Sequence, residues 1–205
     1  GNIISKTIEL TSIDDKEMPV ISGLTANTTE WTNQNVTLTV EATDSASGLA
    51  SQAYSWDDKK TWTTNKTFVV STNGTYIVYV KDKLGNIASK DIQVTNIDKE
   101  VPVISGLTSE AKNQNVTLTV EATDSKSGLA EKAYSWDGKE TWTTSKTFVV
   151  SKNRTYTVYV KDRAGNIASK TIEVTNIDAK LPVISGLTAS TTEWTNQNVT
   201  LTVEA

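Results

Sequence analysis

The sequence predicts an all-β chain of tandem sandwiches, and three observations carry that prediction. Thr is the commonest residue and Val is abundant, while Ala, Leu and Met are sparse for a helical protein, a balance that favours strands. Apolar and polar residues alternate with period two, as in Val36, Leu38, Val40 and Ala42 against Thr37, Thr39 and Glu41, which is the pattern of a strand with one buried face. The chain also repeats itself. NQNVTLTVEATDS stands at 33–45 and at 113–125, and its opening, NQNVTLTVEA, closes the chain at 196–205. Self-similarity at a fixed period is the mark of a repeat architecture.

A recurring joint sets the frame of the repeat. TNIDKEVPVISGLT at 95–108 returns as TNIDAKLPVISGLT at 175–188 and, more loosely, as TSIDDKEMPVISGLT at 11–25. Each copy is polar up to its proline and apolar just after it, so each reads as the end of one unit, a short stiff connection and the first strand of the next. Pro19, Pro102 and Pro182 stand about 80 residues apart, a spacing in the range of repeat units and small domains. The frame divides the chain into 1–16, the C-terminal strand of a preceding repeat; 17–98 and 99–178, two whole repeats; and 179–205, the N-terminal part of a following repeat. The two flanking fragments together lack everything between about Thr43 and Gly85, so they cannot complete one another. With neither a signal peptide nor an initiator Met, the chain is expected to be a window on a longer array. The repeats differ in one loop. ANTTEWTNQN (26–35) and ASTTEWTNQN (189–198) are the long form, and SEAKNQN (109–115) is the short one, a change that a surface turn tolerates.

Within one unit, Val20 and Ile21 begin a strand after Pro19, and the alternation at 36–42 marks the next. Phe68, Val69 and Val70 make a shorter strand. Tyr76, Val78 and Val80 alternate with Ile77, Tyr79 and Lys81 in a strand apolar on both sides, and Ile92 and Val94 end the last. Ser47-Gly48, Asn73-Gly74 and the run from Asp82 to Asn86 are turn signals. About seven short strands in about 80 residues, with turns every 8 to 12, is the signature of an immunoglobulin-like β-sandwich. The Cys pair of antibody domains is missing, so packing alone must stabilise the core. The expected anchors are Leu38, Val40, Tyr54, Trp56, Phe68, Tyr76 and Val78, and in the second unit Leu118, Val120, Tyr134, Trp136, Phe148, Tyr156 and Val158.

Composition excludes several functions. The net charge is -4 with the two signs interspersed, and without a basic stripe nucleic acid is not an expected partner. No apolar run reaches the length of a membrane span, so this segment is not expected to insert. Cys and His are both absent, which removes the ligands and bases of zinc, haem, iron–sulfur and most nucleophilic-triad chemistry. Carboxylate, amide and hydroxyl oxygens remain, and these suit hard cations such as calcium. No cofactor is required.

With these residues in view, the units resemble the bacterial immunoglobulin-like repeats of Gram-positive cell-surface proteins. The resemblance rests on the joint NID-x-x-x-P, the strand and turn WTNQNVTLTVEATDS-x-SGL, the YSWD hairpin and the ending TY-x-VYVKD-x-x-GNI, and it covers both whole units and both fragments. It implies an extracellular setting, on the bacterial cell surface or secreted, and long stalks that carry adhesive or enzymatic heads. It also implies, from related sandwiches, calcium at interdomain joints. The expected partners are neighbouring repeats of the same chain, joined by lateral copies if the chain is instead a subunit of a filament or layer.

The acidic residues give the sharpest candidate site. In an immunoglobulin-like topology the incoming joint, the loop after the second strand and the loop before the last strand share one end of the sandwich. In the second unit that end would gather Asp98, Glu100, Asp124, Asp162 and Asn166, and in the first Asp14, Asp15, Glu17, Asp44, Asp82 and Asn86. Converging carboxylates repel one another unless a cation sits among them, and oxygen-only ligands favour calcium. The plainer reading is that Asp44, Asp82 and Asn86 cap turns through their own side chains. Trp31 and Trp194 lie in the long-form loop; they suggest a sugar-stacking surface, or else a cover for the joint or a sandwich edge.

Other motifs read as structural. SWDDKKTW (55–62) and SWDGKETW (135–142) nearly fit the Asp-box pattern, with Lys59 and Lys139 where Gly is usual. Asp-boxes occur in sialidases, but no tyrosine nucleophile stands within an arginine cluster here, since the only Arg residues are Arg154 and Arg163. Asn-x-Thr triplets follow from the Thr content. Lys90 or Lys170 could start a Lys–Asn cross-link, yet neither has an evident buried partner. The expected function is a non-enzymatic extracellular stalk, with a carbohydrate- or protein-binding module and a filament or layer subunit as rivals.

Overall fold

The computed structural model describes residues 3–7, 15–112, 114–178 and 183–205, and no helix occurs among them. The first unit holds β1 (Val20–Ala26), β2 (Val36–Thr43), β3 (Leu49–Ser55), β4 (Thr67–Val70), β5 (Gly74–Asp82) and β6 (Ile87–Val94). The second holds β7 (Val103–Lys112), β8 (Asn115–Thr123), β9 (Leu129–Ser135), β10 (Thr147–Val150), β11 (Arg154–Asp162) and β12 (Ile167–Val174). A final hairpin pairs β13 (Gly186–Ala189) with β14 (Leu201–Glu204).

Each unit has two antiparallel three-stranded sheets, in the orders β1-β2-β4 and β3-β5-β6, then β7-β8-β10 and β9-β11-β12. The period-two pattern decides which face of β2 turns inward: Val36, Leu38 and Val40 are 0% exposed while the residues between them are not buried. Val40 and Ala42 of one sheet join Tyr54, Val78 and Val80 of the other in a single apolar cluster, so the two sheets face each other and share their core. Trp56 packs against both this cluster and a second one around Leu38, Val70 and Val94. Its ring stacks on Phe68 at 5.3 Å between centroids. The second unit repeats the arrangement around Trp136 and Phe148 at 5.5 Å.

One expectation needs correction. Each unit has six strands, in keeping with the about seven expected, and residues 56–66 do not form a further one. They make the Asp-box turn and return to β3 through one bridge, Tyr54 to Thr63. For the same reason β4 and β10 are edge strands, and Phe148, expected in the core, stays 36% exposed. Trp136 stacks on its ring and Tyr156 of β11 meets it edge-on at 6.4 Å.

The end of each sandwich that receives the joint is built from the β2–β3 loop and the β5–β6 turn. Gly48 (φ 78) and Gly85 (φ 90) take left-handed conformations there, which glycine adopts without a Cβ penalty. The Lys83 N–H donates to the Gly48 carbonyl at 3.0 Å and so ties the two loops together.

Candidate functional site at the acidic joint

Asp98 sits between the two sandwiches and bonds to both. Its N–H donates to the Thr32 carbonyl of the first unit (2.9 Å), and its own carbonyl accepts from Asn166 Nδ2 of the second (3.0 Å). Its carboxylate accepts the Glu100 N–H (3.0 Å) and the Ser127 N–H (3.0 Å). The bond to Glu100 is the two-residue turn that an Asp forms with its own backbone. Asp98 is 0% exposed. Burial pushes its carboxyl up, but the bonds from Glu100 and Ser127, with Lys126 nearby, outweigh that and leave it below the ordinary carboxylate range. Beside it, Ile97 is held by Asn73, which accepts the Ile97 N–H (2.8 Å) and donates to its carbonyl (2.9 Å).

Two further carboxylates meet Asp98. Asp124 caps the loop after β8, accepting the N–H groups of Lys126 (3.2 Å) and Gly128 (2.7 Å) and the Ser127 hydroxyl (3.4 Å). Asp162, buried at the end of β11, accepts the Asn166 N–H (2.7 Å) and Nδ2 (2.7 Å). One carboxylate oxygen from each of Asp98, Asp124 and Asp162 lies within 4.8 Å of the others. The first unit repeats the group with Asp15, Asp44 and Asp82. Asp15 accepts the N–H groups of Glu17 (2.9 Å) and Ser47 (3.0 Å), and its carbonyl accepts Asn86 Nδ2 (3.0 Å), the same three bonds that Asp98 makes. Asp44 caps Gly48 (2.6 Å), and Asp82 caps Leu84 (2.9 Å) and Asn86 (2.8 Å).

Convergence and turn capping are therefore both present in the same residues. Of the expected ligands, Asp98, Asp124, Asp162 and Asn166 come together, as do Asp15, Asp44, Asp82 and Asn86; Asp14 lies outside the described residues. Glu100 does not join the group. The turn at Asp98 sends it outward, where it pairs with Lys126 Nζ at 2.7 Å in a solvent-exposed ion pair. Lys126 is held above its ordinary range, chiefly by Glu100 and also by Asp98 and Asp124. The donor set of each trio is oxygen only and fits a hard cation such as calcium.

The remaining sequence candidates fall elsewhere. Trp31 is half-buried in the long loop, whose next residue, Thr32, bridges to Ile97, whereas Trp194 is 103% exposed. In the Asp-box turns, Asp57 accepts from the Thr61 hydroxyl (2.6 Å), the Thr61 N–H (2.9 Å) and the Ser55 hydroxyl (2.8 Å). These bonds lower its carboxyl to about 2, the Thr61 hydroxyl contributing most, and Asp137 is lowered to about 2 in the same way by Thr141 and Ser135. Lys59 (φ 66) and Lys139 (φ 79) carry the positive φ that explains the usual Gly at that place. Lys90 and Lys170 are exposed, so neither is set in a buried cross-link. Sequence reasoning missed Asn73, Thr32, Asn33 and Ser127 as joint contacts. Two of these left a trace: an Asn stands at the same place in both units and clamps Ile97 or Ile177 from 24 residues upstream, and a Ser, Ser47 or Ser127, donates its N–H to the joint Asp in each unit.

No family model matches the chain, and no curated protein matches it. Among solved structures, the C-terminal 282-residue fragment of intimin, in complex with the intimin-binding domain of the translocated intimin receptor, is similar at a TM-score of 0.40 and 16% identity. That match covers 77% of this chain and 64% of the fragment. The human desmocollin-1 ectodomain is similar at 0.33 and 16%, over 79% of this chain and 37% of that one. The chain thus spans less than two-thirds of the length of either. The fold is immunoglobulin-like. What decides it is the strand order, first, second and fourth against third, fifth and sixth, on a shared core. Among the described residues no helix is long and apolar enough to cross a membrane.

Proposed function

We propose that this chain is a stretch of a non-enzymatic extracellular stalk, made of tandem immunoglobulin-like units and belonging to a surface protein of the adhesin type. The observation that supports the reading best is the joint. Asp98 is buried between two sandwiches and bonded to each of them, so that added units extend the chain end to end. The absence of His and Cys from the sequence is in keeping with a role in spacing rather than in chemistry. Small-angle scattering on residues 1–205 tests the idea: an elongated monomer is expected at every concentration. Growth of the particle with concentration would instead favour the rival reading of a filament or layer subunit. The full exposure of Trp194 keeps a glycan-binding rival in play. Reproducible glycan capture that disappears in Trp31→Ala or Trp194→Ala would overturn the pure-spacer reading.

Calcium at the joints belongs to the same proposal. Asp98, Asp124 and Asp162, and in the first unit Asp15, Asp44 and Asp82, would hold the ion, and two of each trio's loops would then be tied to the incoming joint through it. A ligand that binds only the folded form raises its stability. The expected outcome is a higher melting temperature with calcium, lost on adding chelator and absent in Asp124→Asn with Asp44→Asn. Superimposable melting curves with and without chelator would dispose of the ion and leave the stalk reading standing.

A further inference from the structure

The two loop forms do different things at the ends of their units. In the first unit the long form reaches the outgoing joint. The Thr32 N–H donates to the Asn96 carbonyl (2.9 Å), and the Thr32 carbonyl accepts the Asp98 N–H (2.9 Å), which makes a parallel bridge between Thr32 and Ile97. The Asn96 side chain donates back into the loop, to the carbonyls of Thr28 (3.2 Å) and Glu30 (2.8 Å). One residue further on, the loop touches the next sandwich. The Asn33 N–H donates to the Ala164 carbonyl (3.2 Å) in the turn between β11 and β12, and a Cβ on Gly165 would stand 3.7 Å from Asn33 Nδ2. Asp98 is buried at this contact, and Ile97 is buried in the core of the first unit.

The short form is three residues shorter, seven against ten. Aligned on the shared Asn-Gln-Asn, Lys112 takes the place of Thr32, and its backbone already pairs with Asn115 inside the β7–β8 hairpin. A backbone group that is committed to its own ladder cannot bridge to a joint. At the outgoing end of that unit Asn153 accepts the Ile177 N–H (2.9 Å) and donates to its carbonyl (2.9 Å), as Asn73 does with Ile97.

We propose that the loop between the first two strands of a unit is a docking surface for the unit that follows, and that its length sets the stiffness of the joint. A unit with the TTEWTNQN loop locks onto the next sandwich; a unit with the short loop leaves the next one free to swing. An array mixing the two forms is then a rod with hinges at places written in its sequence. The inference rests on the stalk reading and adds the rule for where such a stalk bends.

Because the chain has no Cys, two spin labels can be placed by Lys90→Cys and Lys170→Cys, on exposed positions of β6 and β12. The distance distribution across the joint is then read in the full chain. A narrow distribution is expected for the parent. Replacing residues 26–35 by the short form of 109–115 should at least double its width, and Asn96→Ala, which leaves the loop length alone, should widen it by a smaller amount. Melting of each variant verifies that the first unit still folds, and Asn96→Ala carries the test if the loop replacement does not. Widths unchanged in a folded variant overturn the proposal. Glycan capture or concentration-dependent assembly of the parent would count against the stalk reading instead, and neither changes these widths.

Discussion

Residues 20–42 and 183–205 are the same segment written twice, differing only at Asn27 and Ser190. Locally they fold alike. Leu24 pairs with Val40 and Leu187 with Val203, in the same register. Thr32 and Thr195 cap the N–H groups of Gln34 and Gln197, each at 3.0 Å. Even the one difference is absorbed: Asn27 Oδ1 accepts the Thr37 N–H at 2.9 Å, and Ser190 Oγ accepts the Thr200 N–H at 3.1 Å. Burial, by contrast, is opposite. Val36, Leu38 and Val40 are 0% exposed, whereas Val199, Leu201 and Val203 are 45, 70 and 59% exposed. The difference lies in what faces them. The first copy is covered by the β3-β5-β6 sheet and flanked by β4; the second is a two-stranded hairpin with no facing sheet among the described residues. Alternation thus states which face is apolar, and only a facing sheet turns that face into a core.

The largest test of this comparison is one substitution made twice. Leu38→Ala removes a fully buried side chain and should destabilise the first unit by about 2–5 kcal/mol. Leu201→Ala, on the exposed copy, should fall within about 0.5 kcal/mol of the parent. Denaturant unfolding followed by tryptophan emission measures both, and equal costs would break the comparison.

Acid should separate the regions next. The depressed carboxyls of Asp15, Asp57, Asp82, Asp98 and Asp137 lie in the two sandwiches and their joints. A carboxyl with a lower pKa when folded contributes stability above its unfolded value, near 4, and that stability is lost as pH falls through the folded value. For Asp57 and Asp137 the folded value is about 2. Stability is therefore expected to hold from neutral pH down to about 4 and to fall steadily between about 4 and 2. Asp57→Asn with Asp137→Asn should flatten that slope in a pH series of melting curves, and a slope unchanged by the pair would remove the Asp-box turns from the account.

The smallest effect is on fluorescence. Trp194 is fully exposed and Trp31 half-buried, so Trp194→Phe should remove the tryptophan most readily quenched by iodide. Trp31→Phe should remove a more protected one and leave the quenching curve steeper. Equal protection of the two would mean that the long loop is not shielded by the joint it bonds to.

Much of the site was legible in the sequence because its carboxylates are turn residues at fixed offsets from strand ends. Asp124 and Asp162 each follow a period-two run, and such a position is the end of a strand whatever the rest of the fold does. The joint itself was harder. The Asn-Ile-Asp motif aligns Asp14 with Asp98, whereas counting back from the proline aligns Asp15, and it is Asp15 that makes the three bonds of Asp98. Glu100 looked like a third ligand at the joint until the turn at Asp98 pointed it outward to Lys126. The offset of two residues within a turn decides side-chain direction, and a motif read as a string does not carry it.

From the sequence alone come the repeat, its frame, the all-β class, the face of each strand that is apolar, and the oxygen-only chemistry, since each depends on neighbours along the chain. The tertiary structure decided which of those faces are buried, which joint carboxylate enters each trio, and that the long loop reaches across Ile97 and Asp98 to the next sandwich. Those outcomes depend on groups far apart in sequence, 68 residues in the bond from Asn166 to Asp98 and 71 in that from Asn86 to Asp15, and their meeting is set by how the two sheets pack rather than by any local preference.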